Sequence, residues 1–260
     1  LLETAVPDDT TVLVLAGPRR IVTQEEQGLI RDYVEKGGHL LVLVDPDQET
    51  GLDPLLAHWG LGLGPGVLVD LQDRLAAGDL TSLLVRTFTE HDITQDLTSP
   101  ILFPLSRHIT FDEQTGKDWD YVPLARTSAN SWAETNMQGR VVSLNEEEDI
   151  KGPLPMAVAL APKHEPEEGK PRPALVVIGN SAFATNAYFN FPGNSDFFLH
   201  TAGWLADERD LIAIAPKEPA LHPFTPNPLQ ERTLLYVQVV FLPLLTFLTG
   251  VMVWRKRRRL

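Results

Sequence analysis

The sequence contains no cysteine among its 260 residues. Disulfide bonds, thiolate nucleophiles and zinc sites with cysteine ligands are therefore excluded. Positive charge is also scarce, since 22 lysine and arginine residues stand against 35 aspartate and glutamate residues and give a formal net charge of −13. Binding to nucleic-acid phosphates needs a basic surface, so we expect no nucleic-acid partner.

Motifs for cofactors and metals are missing as well. There is no glycine-rich phosphate-binding loop, so we do not expect the chain itself to hydrolyse ATP. The seven histidines show no H-x-x-x-H or H-E-x-x-H spacing of the kind that holds zinc. His91, Asp92 and His108 could be ligands only if the fold brought them together, and ordinary polar contacts are favoured. The acidic run from Glu146 to Asp149 lacks the calcium-loop pattern and is predicted to be a surface turn, so we predict no metal and no cofactor.

One long apolar run does occur, from Leu234 to Trp254, and it carries no charge. As a helix it would be about 31 Å long, close to the hydrocarbon thickness of a bilayer. The basic residues at 255–259 follow directly, and such residues stay on the cytoplasmic side. We predict a single transmembrane helix at 233–254, a cytoplasmic tail at 255–260 and residues 1–208 outside the membrane. A buried core helix is the alternative.

The segments at the two ends of the predicted outer domain also allow predictions. Residues 209–232 are rich in proline, which fixes φ and removes amide donors, so this segment is predicted to be an extended tether. The sequence begins at Leu1 and has no signal peptide. We expect it to be a fragment whose export signal or first membrane helix lies upstream.

The start of the chain predicts a βαβ unit. Thr11 to Ala16 and His39 to Val44 are continuous apolar runs, typical of buried parallel strands. Between them, Thr23 and Glu26 form a capping box that begins a helix, and Gly37 with Gly38 ends it. A strand, a helix and a strand in this order require parallel pairing.

The rest of the domain is predicted from shorter patterns. We expect a short helix at 52–59, a weakly patterned middle of strands and loops at 91–149, strands at 156–160 and 174–178, and a helix at 197–206. The fold class is therefore α/β, with a mostly parallel, doubly wound sheet in three layers, followed by the transmembrane helix.

Candidate ligand-binding residues follow from this fold, because ligands bind beyond the carboxyl ends of strands in an open α/β sheet. Those positions are Gly17, Asp45, Asn180 and Ser181. Asp45 could serve as a general base, although an aspartate before proline more typically starts a turn.

Ser181 lies in the segment from Gly179 to Phe183, which is placed like the nucleophile elbow of hydrolases. Phe183 occupies the position of the second glycine, and no histidine–aspartate pair is identifiable as a partner. A helix N-cap is the favoured role for Ser181. We therefore predict no catalytic residue.

Several segments, taken in order, resemble the auxiliary subunit of gliding-motility-type ABC transporters, the GldG-like family. The resemblance covers nearly the whole chain and is most specific in the last long segment. The proline-containing apolar run and basic tail also resemble the end of that family. The segments are residues 12–18, Tyr33 to Pro46, His91 to Thr94, Ile101 to Pro104, Leu124 to Ser128, Ser131 to Glu134, and Val176 to Glu208.

The resemblance implies a flavodoxin-like domain similar to class I glutamine amidotransferases, on the periplasmic side of a bacterial inner membrane. It implies an ABC permease and an ABC ATPase as partners. Amidotransferases place a catalytic cysteine near the position of Asp45, and this chain has none, so that chemistry is not expected. Asn180 and Ala182 stand where the family commonly has acidic residues, so a role of those acids is not expected either.

Three functions remain open from the sequence. The leading hypothesis is a non-catalytic, membrane-anchored auxiliary subunit of an ABC transporter. The second is a free-standing extracytoplasmic sugar- or peptide-binding module whose tryptophans stack on the ligand. The third is a degenerate hydrolase that uses Asp45 or Ser181. The tryptophans in question are equally expected in the core; they are Trp59, Trp119, Trp132 and Trp204.

Overall fold

The computed structural model describes residues 5–75, 79–137, 142–164, 172–207 and 236–258. The chain divides into two units, residues 1–214 and 215–260. The first unit holds the predicted α/β domain. The second holds the apolar run near the end of the chain.

The first unit opens with strand β1 (Val12–Ala16), helix α1 (Gln24–Glu35) and strand β2 (His39–Leu43). The helix begins at the expected capping box, because the Thr23 hydroxyl accepts the Glu26 N–H at 3.3 Å and the Glu26 carboxylate accepts the Thr23 N–H at 2.9 Å. β1 and β2 pair in parallel and in register along their whole length. The predicted βαβ unit is confirmed.

β2 lies within a five-stranded sheet of order β1-β2-β12-β11-β8, whose other members are β8 (Trp119–Arg126), β11 (Pro155–Pro162) and β12 (Leu175–Ile178). β12 pairs with β2 in parallel, whereas β11 runs antiparallel to both β12 and β8. The predicted α/β class is confirmed, but the mostly parallel, doubly wound sheet is not, because only β1, β2 and β12 pair in parallel. The sheet is mixed because consecutive strands β11 and β12 are also neighbours, so the chain reverses direction between them.

Both faces of the sheet are covered. Leu40 and Val42 of β2 pack in one apolar cluster with Ile30 and Val34 of α1. Residues that alternate with them in the strands belong to a second cluster, which includes Phe197 of helix α3 (Asn194–Leu205). Because successive strand side chains point to opposite faces, the two clusters lie on opposite sides of the sheet.

The short helix predicted at 52–59 is observed as α2 (Asp53–His58), and the other strands of the first unit are short and antiparallel. The strands form three small sheets. The first pairs β3 (Leu61–Leu63) with β7 (Ile109–Phe111). The second has three strands, in which β9 (Ser131–Glu134) lies between β4 (Val67–Asp70) and β10 (Ile150–Lys151). The third pairs β5 (Ser82–Val85) with β6 (Ile101–Pro104).

Asn194 fixes the start of α3 against these strands. Its side chain is fully buried, and its oxygen accepts the Leu102 N–H at 2.8 Å. Its amide group donates to the carbonyls of Leu102, Phe183 and Tyr188 at 3.1, 3.2 and 3.1 Å. A buried amide with this many partners holds its neighbours in one arrangement.

The second unit contains a π-helical turn (Val237–Phe241) followed by helix α4 (Leu242–Arg257). None of the helices in the described parts of the chain is long and apolar enough to cross a membrane. The predicted span at 233–254 begins outside the described residues. The predicted tether at 209–232 lies wholly outside them, as does the end of the predicted basic tail.

Candidate functional site

A cleft opens where the parallel strands β1, β2 and β12 end. Its volume is ≈ 550 Å³, and its wall combines apolar residues from the strands and α3 with polar residues from the loops that follow the strands. The lining residues are Val14, Ala16, Gly17, Arg19, Leu43, Asp45, Gln48, Ser181, Ala184, Thr185 and Phe198. Three of the four predicted ligand-binding residues, Gly17, Asp45 and Ser181, are therefore brought together here.

Asp45 and Ser181 form a two-point contact across the cleft. One carboxylate oxygen of Asp45 accepts the Ser181 backbone N–H at 2.7 Å, and the other accepts the Ser181 hydroxyl at 2.5 Å. The contact joins the ends of β2 and β12, which are parallel neighbours in the sheet. The carboxylate thus has a structural partner for each of its oxygens.

Gly17 allows this contact to form. Its φ is +54°, and a Cβ atom at this position would lie 2.7 Å from the Ser181 hydroxyl oxygen and 3.5 Å from an Asp45 carboxylate oxygen. Its N–H donates to the Leu43 carbonyl at 2.8 Å, which continues the β1–β2 ladder by one bond. Only a residue without a side chain fits both the left-handed backbone and the space.

Asn180 is placed differently from the prediction. It is fully buried and is not among the residues that line the cleft. Its side-chain amide donates to the carbonyls of Pro104 and Leu105, and its oxygen accepts the Phe183 N–H at 2.7 Å. Asn180 therefore ties β12 to the end of β6 and supports the turn behind the cleft.

Ser181 occupies the predicted N-cap position, but it does not cap with its side chain. Ser181 precedes only a short 3-10 turn (Ala182–Ala184), and its side chain makes no capping hydrogen bond. The hydroxyl turns to Asp45 instead, and the capping acceptor for Phe183 is Asn180. A charged acceptor forms a stronger hydrogen bond with a hydroxyl than a neutral one does.

Sequence reasoning missed Arg19, Gln48, Thr185 and Phe198, which line the cleft from the loops and from α3. It also missed Arg107, whose guanidinium donates to the Gly64 carbonyl at 2.9 and 3.1 Å and to the Asp45 carbonyl at 3.4 Å. Burial lowers the pKa of Arg107. Arg107 thus links the middle strands to the loop that contains Asp45. This contact joins residues far apart in the sequence, so no local sequence pattern predicts it.

The remaining candidate ligands do not gather into a site. The His91 ring packs against Trp204 at 5.0 Å between ring centroids, and its Nδ1 accepts the Ile93 N–H at 3.1 Å. Asp149, in the acidic run, accepts the N–H groups of Thr135 and Asn145 at 3.0 and 2.7 Å, which makes it part of a turn. Within the described residues, no group of three or more histidines, aspartates or glutamates could hold a metal ion.

The tryptophans give the cleft no stacking surface. Trp59 and Trp132 are buried, at 2% and 4% exposed. Trp119 and Trp204 are half-buried and pack against the two core clusters. None of the four is among the residues that line the cleft, so the tryptophan stacking expected of a sugar-binding module is not placed there.

The chemistry available in the cleft is correspondingly limited. Ser181 and Asp45 are hydrogen-bonded, but the lining residues include no histidine that could accept the serine proton and pass it to a leaving group. The arrangement can offer hydrogen-bonding groups to a ligand, namely Arg19, Gln48 and Thr185.

We expect Gly17→Ala to lower the free energy of unfolding by about 1–3 kcal/mol, because the left-handed backbone and the close approach of Ser181 both penalise a Cβ atom. Gly28→Ala is the matched control. It lies inside α1, and a Cβ atom added there would have no atom within 4 Å, so it should raise stability by about 0.5–1 kcal/mol. Denaturant unfolding measures both, and equal stability of Gly17→Ala and the parent would contradict the packing described.

His108 supplies a prediction about pH. It is 1% exposed, and neither ring nitrogen has a hydrogen-bond partner among the described residues. Burial together with the nearby Arg107 lowers the pKa of His108 from 6.5 to about 4. As pH falls below 6.5, His108 becomes protonated in the unfolded chain, whereas in the folded chain it stays neutral down to about pH 4. The free energy of unfolding should therefore fall over this window, by about 3 kcal/mol in total from this group.

His108→Phe should remove that share of the pH dependence, because phenylalanine does not titrate. His164→Gln, which removes a histidine from an exposed position, is the matched control. Unfolding by denaturant at several values between pH 4 and pH 7 makes the comparison. An unchanged slope in His108→Phe would show that His108 does not contribute as described.

Comparison with known proteins gives the family. The family described as an ABC-type uncharacterized transport system, the auxiliary component of ABC transporters, matches residues 2–212. None of the curated proteins matches the chain significantly.

Two solved structures align with the chain. The N-terminal domain of mmIFT52 aligns with a TM-score of 0.55 and 17% identity, over 75% of this chain and 77% of that one. A ThuA-like protein from Bacteroides uniformis aligns with a TM-score of 0.37 and 14% identity, over 75% of this chain and 69% of that one. At these identities the first likeness concerns the fold alone. The family match covers most of the chain, and we conclude that the chain belongs to the auxiliary family of ABC-type uncharacterized transport systems.

Proposed function

We propose that the chain is a non-catalytic, membrane-anchored auxiliary subunit of an ABC transporter, working beside an ABC permease and an ABC ATPase. The observation that carries the proposal is the family match over residues 2–212, which spans the whole described α/β unit. The order of the segments quoted from the sequence, ending in Val176 to Glu208, supports the gliding-motility type of transporter.

The composition of the cleft supports a non-catalytic role. Both carboxylate oxygens of Asp45 are engaged by Ser181, and the lining residues lack a histidine. The chain also has no cysteine, so a thiol nucleophile of the amidotransferase kind is unavailable. The Asp45–Ser181 contact acts as a clamp between two strands in this proposal.

The second unit supports anchoring in a membrane. Its apolar side chains are strongly exposed, for example Phe247 at 68%, Met252 at 66% and Val239 at 64%. Arg255, Lys256 and Arg257 form the last turn of α4. Apolar side chains followed by a basic cluster fit a segment that lies in lipid and ends at the cytoplasmic surface. The α/β unit would then lie on the outer side of a bacterial inner membrane.

A free-standing binding module is the second candidate, and the cleft of ≈ 550 Å³ favours it. The volume is within the range of small-molecule sites, and Arg19, Gln48 and Thr185 supply polar groups along its edge. The same cleft would serve a transporter subunit that presents a ligand to its permease. The partners of the chain therefore distinguish the two candidates.

Purification of the full-length protein in mild detergent, with mass spectrometry of the proteins that accompany it, tests the main proposal. We expect an ABC permease and an ABC ATPase to be recovered. A matched variant in which residues 234–260 are replaced by an unrelated membrane anchor should stay in the membrane and lose both, if part of the interface lies in that segment. Recovery of the protein alone would reject the subunit and favour the free-standing module.

The absence of cysteine makes the proposed topology directly testable. Glu113→Cys places a thiol at an exposed site of the α/β unit, and Arg258→Cys places one in the basic tail. In intact spheroplasts, a membrane-impermeant thiol reagent should label the first variant and should label the second only after permeabilisation. Equal labelling of both variants in intact spheroplasts would contradict the proposed orientation.

A further inference from the structure

Strand β1 is an edge strand with an unusual side-chain content. Among the described residues it pairs only with β2, so its other side carries no strand. All five of its residues are apolar, and Val14 is 44% exposed. A continuous apolar run is typical of a strand buried on both faces, whereas exposed edges are normally protected by charge, proline or a bulge. β1 has none of these within its length.

The backbone of β1 shows which residues are available on the open side. The Gly17 N–H donates to the Leu43 carbonyl in β2, and the backbone groups of a strand point alternately to its two sides. Leu13 and Leu15 therefore direct their N–H and C=O groups toward β2. Val12, Val14 and Ala16 direct theirs outward, where an added strand would meet them.

Charges are arranged symmetrically about the same strand. Counting from Val14, the positions five and six residues before it hold Asp9 and Asp8, and those five and six residues after it hold Arg19 and Arg20. All four residues are exposed. These residues flank the strand, in a turn before it and beyond the left-handed Gly17 after it. When two such strands lie antiparallel with their Val14 residues opposite each other, the acidic flank of each copy is at the same end of the interface as the basic flank of the other.

We propose that β1 is the docking edge for a second copy of this chain, in an antiparallel pairing centred on Val14. The outward-facing residues fit this register, because Val14 lies opposite Val14 of the partner and Val12 lies opposite Ala16. Each of these opposing pairs exchanges two backbone hydrogen bonds in an antiparallel ladder. The main sheets of the two copies become one continuous sheet across the interface.

The pairing also bears on the cleft. Val14, Ala16 and Arg19 are among the residues that line the cleft, so the docked strand of the partner would lie beside it. The association should be sensitive to salt, because the charges at the two ends are exposed and are screened over about 10 Å at 0.1 M ionic strength. This inference concerns the α/β unit alone and does not depend on the proposed transporter role.

Two charge reversals provide the test. In full-length Asp9→Arg, and separately in full-length Arg19→Asp, both ends of the homodimer bring like charges together. We expect each variant alone to dimerise more weakly than the parent by on the order of tenfold or more at low salt. A mixture of the two variants restores opposite charges at both ends, so the heterodimer should form at the affinity of the parent.

Sedimentation of the detergent-solubilised proteins, at concentrations up to about 100 μM, measures these affinities. Both substitutions lie at exposed positions, where a change of side chain leaves the core intact, and circular dichroism with thermal unfolding checks that the fold is retained. A monomeric parent, unimpaired single variants, or a mixture that fails to recover would each overturn the proposal.

Cysteine cross-linking tests the register. In the antiparallel pairing, the Cα atoms of the two Val14 residues are about 5.5 Å apart, which a disulfide can bridge. Val14→Cys should therefore give a covalent dimer under mild oxidation. Leu199→Cys, on α3 and 50% exposed, is the matched control and should give no covalent dimer. Equal cross-linking of the two variants would overturn the proposed edge.

Discussion

The burial of β2 is the constraint on which the rest of the α/β unit depends. Leu40 to Val44 are at most 1% exposed and contribute alternately to the two apolar clusters. Burying each of these side chains contributes about 1.5–3 kcal/mol relative to leaving it in water. A strand with no polar face needs cover on both sides, so α1 and α2 lie on one face of the sheet and α3 lies on the other.

The cleft is a consequence of the same arrangement. Because β1, β2 and β12 run in parallel, the loops after them meet at one edge of the sheet, and Asp45 reaches Ser181 although 136 positions separate them. Arg107 then ties the middle strands to this edge through the carbonyls of Gly64 and Asp45. Asp45 and Ser181, the candidate catalytic residues, thus form structural hydrogen bonds with each other.

The family places this domain in an ABC-type transport system, and the structure offers two surfaces on which such a role could rest. One is the cleft at the strand ends, with polar groups at its edge and no histidine in its lining. The other is the open edge of β1, an apolar strand flanked by opposite charges at its two ends. Val14 and Ala16 of β1 also line the cleft, so the two surfaces are adjacent.

The sequence by itself determined the local elements. The capping box of Thr23 and Glu26, the apolar runs of β1 and β2, and the position of Asp45 after β2 depend on neighbouring residues only, and each could be read from spacing. Only the tertiary structure decided the antiparallel half of the sheet, the partner of the Ser181 hydroxyl, the burial of Asn180 and the exposure of β1. These features depend on contacts between segments that are distant in the sequence. The apolar pattern of a strand predicts that the strand is buried, but it does not identify the segments that pack against it.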